Sequence, residues 1–432
     1  MKKLWQKEHS SVSEIVETFT VGKDKMFDLL LAAYDVQGSA AHVRMLGENG
    51  LMPPEDADQA ILGLNAIAAE IEAGNFLIED GVEDVHSQVE LLLTRQLGDI
   101  GKMIHSGRSR NDQVAVDIKL FLRAACIELK EATKSLFDDL ITKSNLHQAD
   151  LIPGYTHLQI AMPSSVGLWL GAYAESLVDD LALLATAYKL CNKNPLGSGA
   201  GYGSSFPLNR KRTTELLGFE TLHWNSIYAQ MSRGKTEKTV AIAIGGIAAT
   251  LSKLALDCCL YLNQDFGFIS FPEALTTGSS IMPHKKNPDV LELIRGKCNR
   301  IQAIPNELTL LINNLPSGYH RELQLTKEIL FPALTELGSC LQMMRLMLQE
   351  IKVTKDILKA DKYQYLFSVE AVNELVLTGV PFRAAYQQVG KAIEAGTFSA
   401  GEKRVHTHEG SIDHLCNEEI IKEMEQVLAL FP

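Results

Sequence analysis

This 432-residue chain contains little proline, few aromatics and few cysteines: 14 Pro, 7% Phe, Trp and Tyr, and 7 Cys. Scarce proline leaves room for long uninterrupted helices. The cysteines form no C-x-x-C pair, and only Cys258 and Cys259 are adjacent. Neither a disulfide framework nor a zinc site is therefore expected, and reduced thiols fit a cytoplasmic protein. Positive charge is also in deficit, with 41 Lys and Arg against 53 Asp and Glu and a net charge of −12, which argues against non-specific binding to nucleic acid or anionic membranes. An anionic ligand has to be drawn in by local cations. No apolar segment of signal-peptide length follows the basic start at Met1 to Lys3. The most apolar stretch, Thr239 to Leu251, lies between Lys238 and Lys253 and is too short to span a bilayer, so a buried core helix and no membrane segment are expected.

Helical periodicity fills most of the chain. Val114, Ile118, Phe121, Ala125, Leu129, Leu136 and Leu140 recur at steps of three, four or seven and predict a long amphipathic helix after Asp112. Similar stretches run over about Val166 to Leu190, Glu237 to Leu262, Pro288 to Leu311 and Lys327 to Gln349, which predicts a bundle. Gly245-Gly246 in the segment Val240 to Leu262, apolar around most of its circumference, favours burial by other subunits and hence a homo-oligomer. Before residue 108 the pattern is shorter and richer in turns. After about 353, Asp356 to Thr378 and Pro381 to Ala395 read as short helices. The expected organisation is all-α with three domains: 1–107, 108–353 carrying the long bundle, and 354–432.

The densest chemistry lies in Thr277 to Asn299. Gly278, Ser279 and Ser280 open a loop of small residues, and Asn287-Pro288 reads as an N-cap followed by proline at the first helical position. Lys285 and Asn287 then sit at a positive helix end suited to a carboxylate or phosphate, with Glu292 a turn inside. Taken alone, such a loop is more often a solvated turn. His105 to Asp112 places Arg108 and Arg110 beside Asn111, a pattern suited to bidentate carboxylate recognition or to a capped turn, about evenly. Pro153 to Gln159 holds Thr156 and His157; Asp84 and His86 open another helix; Tyr319 to Lys327 supplies Tyr, Gln and Lys. His406, His408 and His414 have polar surroundings and no matching acidic or cysteine ligands, so a surface loop is expected and no metal.

Together these runs resemble the fumarase/aspartase superfamily, whose signature loop Gly-Ser-Ser-x-Met-Pro-x-Lys-x-Asn followed by Glu matches at Gly278, Ser279, Ser280, Met282, Pro283, Lys285, Asn287 and Glu292. Within it, Gly107-Arg108-Ser109-Arg110-Asn111-Asp112, Pro153 to Gln159 and Leu291 to Lys297 resemble the argininosuccinate lyase branch. The resemblance covers nearly the whole chain. It implies a helical three-domain subunit in a homotetramer, active sites built from three subunits, and fumarate elimination from argininosuccinate without cofactor. It assigns Ser279 as base, with Lys285 stabilising its anion, and His157, polarised by Glu292, as the group that protonates the leaving nitrogen. It gives Arg110, Asn111, Thr156, Asn287, Tyr319, Gln324 and Lys327 to the succinyl carboxylates, Asp84 to the arginine end, and Asp28 and Arg233 to the ligand. A lyase of another N-substituted aspartate and a non-catalytic oligomeric scaffold are the alternatives. The chain departs from the family pattern at Asp24, where serine is usual, at Ser232-Arg233-Gly234 in place of Asp-Arg-Asp, at Thr326, usually acidic, and in a short C-terminal domain.

Overall fold

A computed structural model describes residues 14–399 and 405–432, and they form two compact units. The first contains the described residues up to Leu129, Leu183–Gly245 and Ile301–Glu336; the second contains Lys130–Ala182, Gly246–Arg300 and the described residues from Leu337 on. The elements are overwhelmingly helical, and the strands are short and confined to two-stranded pairs.

In the first unit, helices Ala32–Glu48, Pro54–Glu72 and Val85–Leu97 bury a shared apolar face through Val43, Leu46, Leu64 and Leu93. Each such side chain removed from water contributes roughly 1.5–3 kcal/mol. Pro54 opens its helix where a missing N–H is harmless, and Glu55 and Asp56 face the positive helix end. Asp84 caps Val85–Leu97 by accepting from the Ser87 amide at 2.8 Å. A second cluster gathers Ala41, Val116, Leu120, Leu196, Leu217 and Phe219, while Phe121 packs on Phe331 with ring centroids 4.1 Å apart.

Four long helices match the periodicity: Arg110–Leu146, Val166–Cys191, Lys235–Leu262 and Leu325–Gln349. Arg110–Leu146 runs 37 residues without proline. Lys235–Leu262 has the length and composition of a membrane span, yet most of its apolar stretch is buried inside the protein, as in a core helix.

The expected helix from Pro288 to Leu311 is broken into Asp289–Ile301 and Ile304–Ile312, because Pro305 starts a new helix and cannot donate into the preceding turn. Between Asp356 and Thr378, only Ser368–Leu377 is α-helical, preceded by two 3₁₀ turns. A further helix, Asn417–Leu428, closes the chain, and its Asn417 Nδ2 donates to Ser144 Oγ at 2.9 Å.

The second unit also holds an antiparallel hairpin, Leu151–Thr156 with Gln159–Ser165, paired Leu151 to Ser165 and Thr156 to Gln159. Behind it lies an aromatic cluster in which Tyr261 packs on Trp169 at 4.8 Å and on Phe268 at 5.1 Å. The Trp169 indole and Tyr173 hydroxyl both donate to Asp257, at 3.1 and 2.6 Å, so the polar ends of these rings are satisfied.

Candidate active site

In the first unit, Asp28, Asp84, Arg110, Asn111, Arg233, Tyr319, Gln324 and Lys327 line one cavity of about 260 Å³. Residues as far apart in sequence as 28 and 327 are thus joined by the fold. Arg110 comes from the first turn of Arg110–Leu146, and its guanidinium donates to Asp84 at 2.7 Å and to Ser87 at 3.0 Å. Burial acts to raise the pKa of Asp84, but His86 and Arg110 outweigh it and hold the carboxyl below its usual range. Asp84 therefore serves as both cap and charged partner. Asn111 does not cap through its side chain; Asp112 accepts from the Ser109 amide at 3.0 Å instead. Asp112 also accepts at 2.9 Å from the amides of Gly197 and Gly199, tying the glycine-rich turn to the helix start.

Gln324 Nε2 and Arg321 both donate to the Thr20 carbonyl, at 3.0 and 3.1 Å. Arg233 Nε donates to Glu237 at 3.0 Å in a fully buried pair, and Nη2 donates to the Leu323 carbonyl at 3.2 Å. Gly234, where the resemblance leads one to expect aspartate, has φ +75, and a Cβ there would lie 2.6 Å from Ile312 Cγ2. Packing leaves no room for a side chain. Thr326, the other departure here, is buried and satisfied by donating to the Leu323 carbonyl at 2.8 Å.

Lys327 contacts two carboxylates, Asp24 at 2.8 Å and Asp28 more closely still. Burial opposes its charge, but Asp28 and Asp24 together keep its pKa above the ordinary lysine value. Burial pushes the Asp24 carboxyl up, against the pull of Lys327. Glu83 and His86 also line the cavity. Asp24 was noticeable in the sequence only as a departure from a pattern, and His86 only as a neighbour of Asp84.

Behind His86 lies the one group among the described residues with metal-ligating composition, Asp35, His86 and Asp117, all buried. His86 Nδ1 lies 2.8 Å from Asp35 and 3.5 Å from Asp117. Burial works against an imidazolium, yet Asp35, Asp84 and Asp117 push its pKa up to about 9. A protonated ring whose Nδ1 donates to Asp35 has no lone pair there for a metal, so the group reads as a buried ion network. His406 instead pairs with Glu370 at 2.9 Å, and the seven cysteines are free thiols.

The second unit carries the remaining six predicted residues. Ser279 follows a two-residue ladder, Thr277–Gly278 against Lys286–Asn287. Its Oγ accepts from the backbone N–H of Met282 at 3.1 Å and of Ile281 at 3.4 Å. Those two amides, invisible to side-chain motif reading, point at the hydroxyl oxygen of Ser279. Asn287 is not a cap: its Nδ2 donates to Thr277 Oγ1 and the Gly278 carbonyl at 3.4 and 3.3 Å, holding the loop closed, and the helix starts at Asp289. Lys285 and Glu292 are exposed. Thr156 ends the first hairpin strand, and His157 and Leu158 form its two-residue turn with φ +54 and +59. That backbone is ordinarily met by Asn-Gly, so the turn presents an exposed His157 at a conformational cost. Among the described residues, no hydrogen bond joins His157 to Glu292 or Ser279 to Lys285.

A family model described as Lyase matches residues 8–303. The argininosuccinate lyase of Parabacteroides distasonis is 59% identical over 430 residues, covering 100% of this chain and 96% of that protein. That of Bacteroides thetaiotaomicron is 57% identical over 427 residues, covering 99% and 96%. Among solved structures, an EDDS lyase in complex with formate superposes with a TM-score of 0.76 at 22% identity, covering 98% of this chain and 91% of that one, which bears on the fold alone. With these matches over essentially its whole length, the chain belongs to the argininosuccinate lyases of the fumarase/aspartase superfamily.

Proposed function

We propose that the protein eliminates fumarate from argininosuccinate to leave arginine, the closing step of an arginine-forming route, and catalyses the reverse addition. The observation that carries this reading is the convergence of eight predicted ligand residues on one cavity. A proton on carbon next to a carboxylate is weakly acidic, so its removal needs a placed base and stabilisation of the doubly charged carboxylate that forms. Ser279 takes that proton. The Ile281 and Met282 amides at its Oγ supply the stabilisation a serine anion needs, and Lys285 adds a cation on the same loop. As the electron pair closes to the new C=C bond, the C–N bond breaks and the guanidino nitrogen receives a proton delivered through His157, with Glu292 orienting the imidazole.

The residues acting on the proton and those lining the cavity belong to different units, and we read the working enzyme as a cytoplasmic homotetramer whose sites draw residues from three subunits. The largely apolar helix Lys235–Leu262, with Ile242 and Leu256 exposed on a single chain, supports such assembly. The division at residues 107 and 353 is our domain reading. The test is fumarate release, followed by ultraviolet absorbance, from argininosuccinate and separately from adenylosuccinate, aspartate and malate. Release from argininosuccinate alone is expected, whereas release from another of the four and not from argininosuccinate overturns the substrate assignment.

A further inference from the structure

The ammonium of Lys327 is enclosed rather than presented. Its side chain and that of Asp28 are each 3% exposed, whereas Asp24 is 22% exposed and lines the cavity. All three groups line the cavity, and the most exposed of them to a ligand is the Asp24 carboxylate. Two carboxylates on one ammonium also leave a net negative charge, and a ligand carboxylate arriving at Lys327 would be the third anion around a single cation.

On the same cavity, Arg233 has one donor to spare. Its Nε and Nη2 are bonded to Glu237 and the Leu323 carbonyl, while Nη1 is buried with no hydrogen-bond partner. An unpaired buried guanidinium N–H is costly in the empty protein and is satisfied when an acceptor arrives.

We propose that Asp24 is a specificity-determining residue that receives the α-ammonium of the ligand's amino-acid end, with Arg233 Nη1 receiving the α-carboxylate. This rests on the argininosuccinate reading and deepens it: Asp24 and Arg233 form a clamp for a zwitterion, and Asp28 alone neutralises Lys327 when Asp24 turns to the ligand. Serine at this position, usual in the family, offers a hydroxyl where this chain offers a charge.

The experiment compares the full-length wild type with Asp24→Asn and Asp24→Ser on argininosuccinate and on its des-amino analogue, in which hydrogen replaces the α-ammonium. Asp28 still pairs Lys327 in both variants, so the fold is expected to hold, with circular dichroism as the check. Loss of a charge-assisted bond predicts KM for argininosuccinate raised roughly ten- to a hundredfold in both variants. kcat falls far less, and the des-amino analogue shows no such difference between variants and wild type. Equal losses on both substrates, or a lower KM in the variants, overturn the clamp. A wild type silent on argininosuccinate overturns the function reading instead, and calorimetry then decides the clamp. Wild type preferring L-arginine over 5-guanidinopentanoate, with the preference erased by Asp24→Asn, supports it; equal binding of the two by wild type overturns it.

Discussion

His86 is buried at the cavity wall, yet it carries charge, because Asp35, Asp84 and Asp117 surround it. Its pKa of about 9 in the fold lies above the unfolded value of about 6.5, so its contribution to stability is complete below about pH 6.5 and is lost as pH rises through about 9. The full contribution is on the order of 3 kcal/mol. Urea unfolding of wild type and His86→Gln at pH 6 and pH 9.5 is expected to show a gap that narrows at the higher pH, and a constant gap contradicts the charged ring. Lys327→Met is expected to destabilise by about 3–5 kcal/mol in the same measurement, because it strands the buried Asp28 carboxylate and takes the cation from half-buried Asp24; a change under about 1 kcal/mol contradicts the ion triad. The sequence offered Lys327 only as one polar residue in the run from Tyr319 and Asp28 only through resemblance, and no spacing rule links position 28 to position 327. The closeness of charges decides these roles, and a linear reading carries no information on it.

The two positive-φ residues of the hairpin turn make a claim at the level of the element. Leu158 is 82% exposed and gains nothing from packing, so its left-handed backbone costs about 1–2 kcal/mol that glycine avoids. Leu158→Gly is expected to stabilise the protein by about 1 kcal/mol in chemical unfolding, and destabilisation of that size contradicts a strained turn. Gly234→Ala is expected to cost about 2–5 kcal/mol, from φ +75 together with the clash at Ile312; a neutral result there would show that the packing gives way. The long helices were legible because scarce proline leaves the 3.6-residue pattern uninterrupted over Arg110–Leu146 and Lys235–Leu262. The hairpin was not, since Pro153, Gly154 and Pro163 blur the strand alternation and only the polar turn stands out. The break after Ile301 was written in Pro305, whose penalty the surrounding apolar period masked.

The proposed tetramer combines residues of different subunits in each working site. Ser279→Ala removes the proposed base in the second unit and Lys327→Met alters the cavity of the first. If each site lies within one chain, hybrids of the two inactive variants contain no intact site. If subunits share sites, co-refolded mixtures regain a sizeable fraction of wild-type activity while either variant alone stays silent. Size-exclusion chromatography with light scattering is expected to give four copies for both variants, and a stable monomer contradicts the assembly. Family membership was readable from one chain because the signature loop is long and specific, and the fold brings eight of the expected ligand residues to one cavity. A homo-oligomer was expected from the apolar helix and the resemblance, and in the single chain the exposed apolar residues Ile242 and Leu256 on that helix are consistent with it.

The measurement that tests the account most directly is the rate of fumarate appearance from argininosuccinate with wild type and with Ser279→Ala at equal protein concentration. Removing the oxygen that the Ile281 and Met282 amides face is expected to lower kcat by about a thousandfold or more, as for loss of an activated catalytic group, while the oligomer persists. Wild-type turnover in Ser279→Ala, or no fumarate from either protein, would contradict it.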